Sequence, residues 1–338
     1  MDTLLFITVE NDTLIRILLL GFLGFLVSML ITPLYTTAAY KWQWWKKRPQ
    51  ATTSTDEKEN RLVPTMAGAI TVVAVCLVTL PFNLDRAETW LPIAAFAGSA
   101  LAGLLGDIIN IRGKGAGIAS LRARIKLTLS TLVALIGGFY FYLKLDVSSI
   151  HIPVYGTEWE VGWLIVPLFV LVVVATAHAV TITDGLDGLA GGLAATAFAT
   201  YAVIAALEGR FGVSGFCMTV VGALLSYTWF NIPPARFFMG DVGSFALGTA
   251  LGVVAMLTDT LLLLPLIGLV FVAEAGSSLL QNLSKKLRGG KELFKLAPLH
   301  RHFEAIGWPD TKVTMRFWIM GQVSASLGLI LFLLGRYF

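Results

Sequence analysis

Residues 161–207 read VGWLIVPLFVLVVVATAHAVTITDGLDGLAGGLAATAFATYAVIAAL. Two apolar runs, 161–181 and 186–207, flank a short insert that carries Asp184 and Asp187. A helix crossing the hydrocarbon needs about 20 mostly apolar residues, and its backbone groups must be satisfied internally. Neither run alternates as a membrane strand would, so both read as spanning helices. Outward from this pair the pattern recurs at 14–35, 65–83, 91–109, 126–144, 213–231, 242–258, 261–282 and 313–335. The expectation is an all-α integral membrane protein of about ten helices, with Pro265 and the Gly276 region bending the ninth.

Composition agrees. Charged residues are 14% of the 338, against roughly 25% in an ordinary soluble domain. Hydrophobic residues reach 56%, and mean hydropathy is +0.78. A soluble pair of domains, a disordered chain and a nucleic-acid binder are excluded. So is a disulfide scaffold, because Cys76 and Cys217 each lie inside an apolar run. The first apolar run is too long for a signal peptide and lacks a convincing cleavage site. No internal repeat is visible, and the whole of 1–338 reads as one polytopic domain. Segment 49–63 is polar, and 148–160 alternates around a Gly turn, which predicts a small outer β-hairpin.

Sidedness follows from the basic residues. Loops 36–64, 110–126, 182–185, 232–241 and 283–316 hold 20 of the 25 Lys and Arg. The positive-inside rule then puts these loops in the cytoplasm and both termini outside.

Ionisable groups at membrane depth are costly, so those present are functional candidates. Asp107, Asp184, Asp187 and Asp241 all fall at cytoplasmic helix ends. A lone helix-end Asp reads as a cap. Four on one side, in Gly-rich settings, read as hard oxygen ligands of the kind Mg²⁺ takes together with substrate phosphates. Asp184 and Asp187 are expected on one helix face near an N-terminus, where free N–H groups favour anions. In 230–244, FNIPPARFFMGDVGS, two prolines stop a helix, Asp241 opens the next, and Phe238 could stack on a base. In 297–304, APLHRHFE, His300 and His302 follow Pro298 in what reads as an irregular loop, both able to face a phosphate. Their spacing and the lack of Cys argue against zinc. Metal, phosphates and a membrane face point to phosphoryl transfer to or from a lipid.

These segments resemble the polyprenyl-phosphate N-acetylhexosamine-1-phosphate transferase superfamily. The likeness runs almost end to end, from RLVPTMAG at 61–68 through GLLGD at 103–107, LRARIK at 121–126, TDGLDGLA and FMGDVGS, to GW at 307–308 and RFWI at 316–319. The PLHxHFExxGW stretch resembles the branch whose donor is a UDP-linked muramoyl-pentapeptide. The resemblance implies attack by a polyprenyl (undecaprenyl) phosphate on the sugar-linked phosphate of that donor. The products would be UMP and the first lipid intermediate of peptidoglycan. It implies Mg²⁺ held by Asp241 with Asp184, and Asp107 orienting or deprotonating the lipid phosphate near Lys126. Asp187 and Asn231 would serve nucleotide and metal, Phe238 would stack on uracil, and His300 and His302 would contact the pyrophosphate. Arg61, Thr65, Thr181 and Arg301 complete the expected substrate-binding set. A homodimer in the bacterial plasma membrane is also implied, with no interface readable from the sequence. The four aspartates and His300 are then expected to converge in one cytoplasm-facing cleft.

The chain departs from the family pattern at several positions. The paired aspartates of the third helix are Gly106-Asp107, and Asn110 replaces a Lys. Asn-x-x-Asn becomes His178-Ala-Val-Thr181, Arg301 replaces the middle histidine of three, and Arg61 replaces a Lys. Competing readings are a transferase for UDP-GlcNAc or another UDP-sugar, an impaired or repurposed relative, and, from another class, a secondary transporter. The transporter would need ionisable residues deep in the membrane, whereas these four lie at helix ends.

Overall fold

The computed structural model describes residues 11–46, 63–112, 118–152 and 157–337. The helices run in chain order: α1 (Asn11–Lys41), α2 (Gly68–Phe82), α3 (Trp90–Arg112), α4 (Ile118–Lys144), α5 (Ile165–Thr183) and α6 (Leu189–Leu207). They continue with α7 (Phe211–Asn231), α8 (Gly240–Leu257), α9 (Leu264–Ile267), α10 (Leu269–Leu287), α11 (Leu299–Ala305) and α12 (Asp310–Tyr337). Strands β1 (Trp45–Lys46) and β2 (Val63–Pro64) pair near the motif-bearing end, and β3 (Ser149–Ile152) pairs with β4 (Thr157–Glu160). The second pair is the expected hairpin, antiparallel from Ser149↔Glu160 to Ile152↔Thr157.

The protein is a multi-pass, all-α membrane protein. Among the described residues, α1, α3, α4, α5, α6, α7, α8 and α12 are long and apolar enough to span. Two of the ten expected segments differ. Residues 65–83 yield only the 15-residue α2, about 22 Å of helix at 1.5 Å per residue and short of the roughly 30 Å hydrocarbon. The ninth segment breaks at Gly268, where α10 leaves at 83° to residues 261–267. Pro265 lies in the first turn of α9, where its missing N–H costs nothing, so the break falls at Gly268 and not at the proline. Gly276, by contrast, sits inside unbroken α10.

The core centres on α8, of which 94% is buried in its spanning window. It packs against α3 and α5, while α1 lies along α7. Small residues make these approaches feasible, as in other membrane bundles. A Cβ on Gly222 of α7 would stand 1.9 Å from the Gly21 carbonyl oxygen of α1, and one on Gly103 of α3 would stand 2.3 Å from the Asp241 carbonyl oxygen. That second contact presses α3 onto the first turn of α8 and so brings Asp107 to Asp241.

Candidate functional site

Two loops lace together to hold the start of α8. Phe238 N–H donates to the Pro64 carbonyl (2.8 Å), Ala67 N–H to Phe238 (3.0 Å) and Gly68 N–H to Met239 (2.8 Å). Gly240 has φ +73°, which L side chains rarely adopt, and a Cβ there would lie 2.6 Å from Asp107 Oδ2. The tight turn exposes the first N–H groups of α8. Val242 N–H donates to Asp107 Oδ2 at 3.1 Å. A carboxylate from α3 thus caps α8, a position favoured by the unsatisfied N–H groups and the helix dipole. Asp107 is buried.

One residue along, Asp241 forms an ion pair with Lys126 of α4. Both side chains stay about one-sixth exposed, 15% and 16%, so the pair borders the solvent side of the core. Lys126 Nζ also lies 5.7 Å from the Phe245 ring centre, and His178 packs edge-on against the same ring. Thr181 Oγ1 donates to Ser244 Oγ at 3.3 Å, tying α5 to α8 beside this pair. His178 Nε2 and Thr65 Oγ1 are buried without a hydrogen-bond partner among the described residues. Gly106 closes the group: a Cβ there would stand 2.9 Å from Lys126 Cε and 3.2 Å from Asp241 Oδ2. The position where the family pattern has a second aspartate therefore faces the ion pair directly.

The second group gathers on residues 184–188. The expectation of one helix face for Asp184 and Asp187 is not met. Asp184 caps the C-terminus of α5 with ψ +53°, and α6 begins only at Leu189, after Gly188 at φ +77°. The two aspartates occupy a turn, because Gly185 and Gly188 let the chain reverse there. Asp187 Oδ2 accepts from Ala235 N–H (3.1 Å). Asn231 Oδ1 accepts from Gly188 N–H (2.8 Å), and its Nδ2 donates to the Phe237 carbonyl (2.8 Å). Asp187 and Asn231 are both buried, and they fasten the turn to the 231–238 loop. From α12, Trp318 Nε1 donates to the Gly188 carbonyl (3.2 Å) and Thr314 Oγ1 to that of Asp187 (3.3 Å). Phe238 is half-buried, whereas Phe237 enters the core.

The histidine segment is not an irregular loop. Residues 299–305 form α11, so side chains two apart leave the helix roughly 200° from each other. His300 is buried and turns inward, and a Cβ on Gly185 would meet its Nε2 at 2.2 Å. His302 instead accepts from Lys295 N–H through Nδ1 (3.2 Å) and packs against Phe294. Arg301 pairs with Glu304 at 3.1 Å. Burial raises the Glu304 carboxyl above its ordinary range, against the opposing pull of Arg301. Arg61 lies outside the described residues.

Asp107 and Asp241 meet at the start of α8, while Asp184 and Asp187 flank Gly185, against which His300 Nε2 lies. Among the described residues no three His, Cys, Asp or Glu side chains could hold one metal ion together. The physical reason is that Asp107 and Asp187 each anchor backbone of a different loop. Glu274 was missed altogether. It is fully buried in α10, and its Oε2 sits 2.7 Å from His300 Nδ1 while Oε1 accepts from His300 N–H (3.0 Å). The signal was present in the sequence, since FVAEAG at 271–276 places one carboxylate inside an apolar run.

A family model described as glycosyl transferase family 4 matches residues 89–259. A phospho-N-acetylmuramoyl-pentapeptide-transferase of Geobacillus thermodenitrificans is 36% identical over 312 residues, covering 90% of this chain and 94% of the relative. The protein of that name from Chloroflexus aurantiacus is 37% identical over 337 residues, with 94% and 90% covered. That from Bacillus mycoides is 38% identical over 314 residues, with 90% and 94% covered.

Proposed function

The chain belongs to glycosyl transferase family 4 and, within it, to the phospho-N-acetylmuramoyl-pentapeptide transferases, and from this we propose its reaction and the roles of its residues. It is a phospho-sugar transferase. A polyprenyl phosphate oxygen attacks the sugar-linked phosphorus of UDP-N-acetylmuramoyl-pentapeptide. A new P–O bond forms, the bond to UMP breaks, and UMP leaves. The product is a lipid pyrophosphoryl sugar-peptide, the first lipid intermediate of peptidoglycan.

The observation that supports this best is the Lys126–Asp241 pair over Gly106, with Asp107 behind it. Phosphoryl transfer needs positioned charge more than covalent help. Lys126 supplies a cation for an incoming phosphate, and Asp107 holds the first turn of α8 in place. Unpartnered His178 Nε2 and Thr65 Oγ1 are polar atoms suited to a bound ligand. Asp187 and Asn231 act by fixing the donor-side turn, Phe238 offers a half-buried ring to uracil, and His300 faces the pyrophosphate. His302 and Arg301, turned to Lys295 and Glu304, serve the outer rim.

Mg²⁺ fits this donor set. It commonly takes one or two protein carboxylates and fills its remaining positions with water and phosphate oxygens, and Asp241 and Asp184 are the carboxylates that would hold it. When bound, the ion neutralises charge on the transferring phosphate. The bias of Lys and Arg to the loops at this end of the bundle supports a site on the cytoplasmic face of a bacterial plasma membrane.

Purified protein with Mg²⁺, undecaprenyl phosphate and UDP-N-acetylmuramoyl-pentapeptide should release UMP and form the lipid product. A donor panel including UDP-GlcNAc should show preference for the peptide-bearing sugar. Intact donor binding without lipid product would overturn the enzyme reading.

A further inference from the structure

We propose that Glu274 is a positioning residue that sets the orientation and tautomer of His300, and through it the group facing the donor's phosphates. The inference rests on the reaction proposed above and deepens it. Glu274 and His300 are 0% and 2% exposed. Glu274 grips its partner at two points, the ring through Nδ1 (2.7 Å) and the backbone N–H (3.0 Å). An ionised carboxylate can only accept, so Nδ1 carries the proton. Nε2 is then the ring nitrogen left for other work. It abuts Gly185, between Asp184 and Asp187, so closely that a Cβ would be 2.2 Å away.

A structural peg alone does not account for this pairing. A buried carboxylate is costly, and an apolar or neutral residue would pin α11 to α10 at least as well. What a carboxylate adds is direction: it holds the imidazole in one tautomer and balances positive charge on the ring. The 83° break at Gly268 gives the arrangement its geometry, because α10 restarts there and carries Glu274 beneath the turn.

Glu274→Gln separates the two roles. The glutamine keeps the shape and can still accept from His300 N–H, but its amide donates to Nδ1 and drives the proton to Nε2. Expected are a melting temperature and donor KM close to the parent's and a kcat lowered at least about tenfold. The His300 ring ¹⁵N signals, assigned by their loss in His300→Gln, should change to the other tautomer. Glu274→Gln added to His300→Gln should cause no further loss. A kcat within twofold of the parent, an unchanged tautomer, or losses that add in the double variant would each overturn the proposal. Should Glu274→Gln not fold, Glu274→Asp takes its place and should keep the Nδ1–H tautomer with partial turnover; the other tautomer would overturn the inference. If the parent itself makes no lipid product, the proposed reaction fails instead, and the ¹⁵N result still decides the positioning claim.

Discussion

Lys126 reaches from α4 across the face of Gly106 to pair with Asp241 in the first turn of α8. Its side chain lies beside Gly106, the place where the family pattern has a second carboxylate. Gly106→Asp should therefore be accommodated, because the nearest atom, Lys126 Cε, belongs to a flexible side chain. The added carboxylate competes for Lys126 and loosens its hold on Asp241. We expect the melting temperature to fall by no more than about 3 °C, against the roughly 2–4 °C per kcal/mol usual for larger domains. The apparent Mg²⁺ affinity in the turnover assay should rise several-fold. An unchanged Mg²⁺ titration would refute this account of the pair.

Removing the cation tests the pair from the other side. Lys126→Ala strips Asp241 of its partner and the incoming phosphate of a positive charge. A loss of about 100-fold in kcat is expected, within the range for removing one charged stabiliser of a transition state. Donor affinity, measured by equilibrium binding, should change less than fivefold. A larger effect on binding than on kcat would move Lys126 from the reacting phosphate to the nucleotide.

Much of this was legible in the chain. The apolar runs located the eight long helices among the described residues and overcounted at 65–83, and 148–160 showed its hairpin, because both signals are local. Asp241 beside Gly240 and the prolines before it also marked a helix start correctly. What escaped depended on contacts distant in sequence. Nothing near Lys126 announces Asp241, and nothing near His300 announces Glu274. The start of the sixth helix lies at Leu189, later than the i, i+3 spacing of Asp184 and Asp187 suggests, because the φ of +77° at Gly188 is a backbone property without periodic signature. The ninth segment bends at Gly268, between Pro265 and Gly276, and no periodic signal in the apolar run marks that residue.

Gly185 should tolerate no side chain. In Gly185→Ala the new methyl would meet the His300 ring, and that ring cannot retreat because Glu274 holds it from behind. Crowding of this kind in a packed site costs about 1–3 kcal/mol. The protein should still assemble in the membrane, with kcat reduced by about two orders of magnitude or more, measured by UMP release. Gly276→Ala, where a Cβ meets nothing within 4 Å, is the control and should behave as the parent. Equal activity of the two variants would show that His300 does not need its seat against the turn.

At the opposite end of the bundle, Asp259 sits at φ +47° and accepts the His151 N–H at 3.0 Å, fastening β3 to the loop after α8. The two residues line a cavity of about 330 Å³ with Glu208 and Arg210. Burial raises the Asp259 carboxyl above the usual aspartate value of 3.8, and the His151 N–H and Arg210 only partly offset it. A raised pKa means that the folded protein holds this proton better than the unfolded chain does. The stability it contributes is therefore full below about pH 3.8 and is lost as pH rises through the higher folded value. Asp259→Asn keeps the acceptor for His151, and asparagine adopts the left-handed backbone readily. Free of the ionisation cost, it should melt about 1–3 °C above the parent at pH 7, on the scale set by a fraction of a kcal/mol. The gap should close as pH falls toward 4. Asp259→Ala, which leaves the half-buried His151 N–H without its acceptor, should melt below the parent at both pH values, at a cost of about 1 kcal/mol. Melting curves of the three proteins in detergent, taken from pH 4 to 8, would contradict the assignment if the Asn variant melts lowest at pH 7 or if its gap ignores pH.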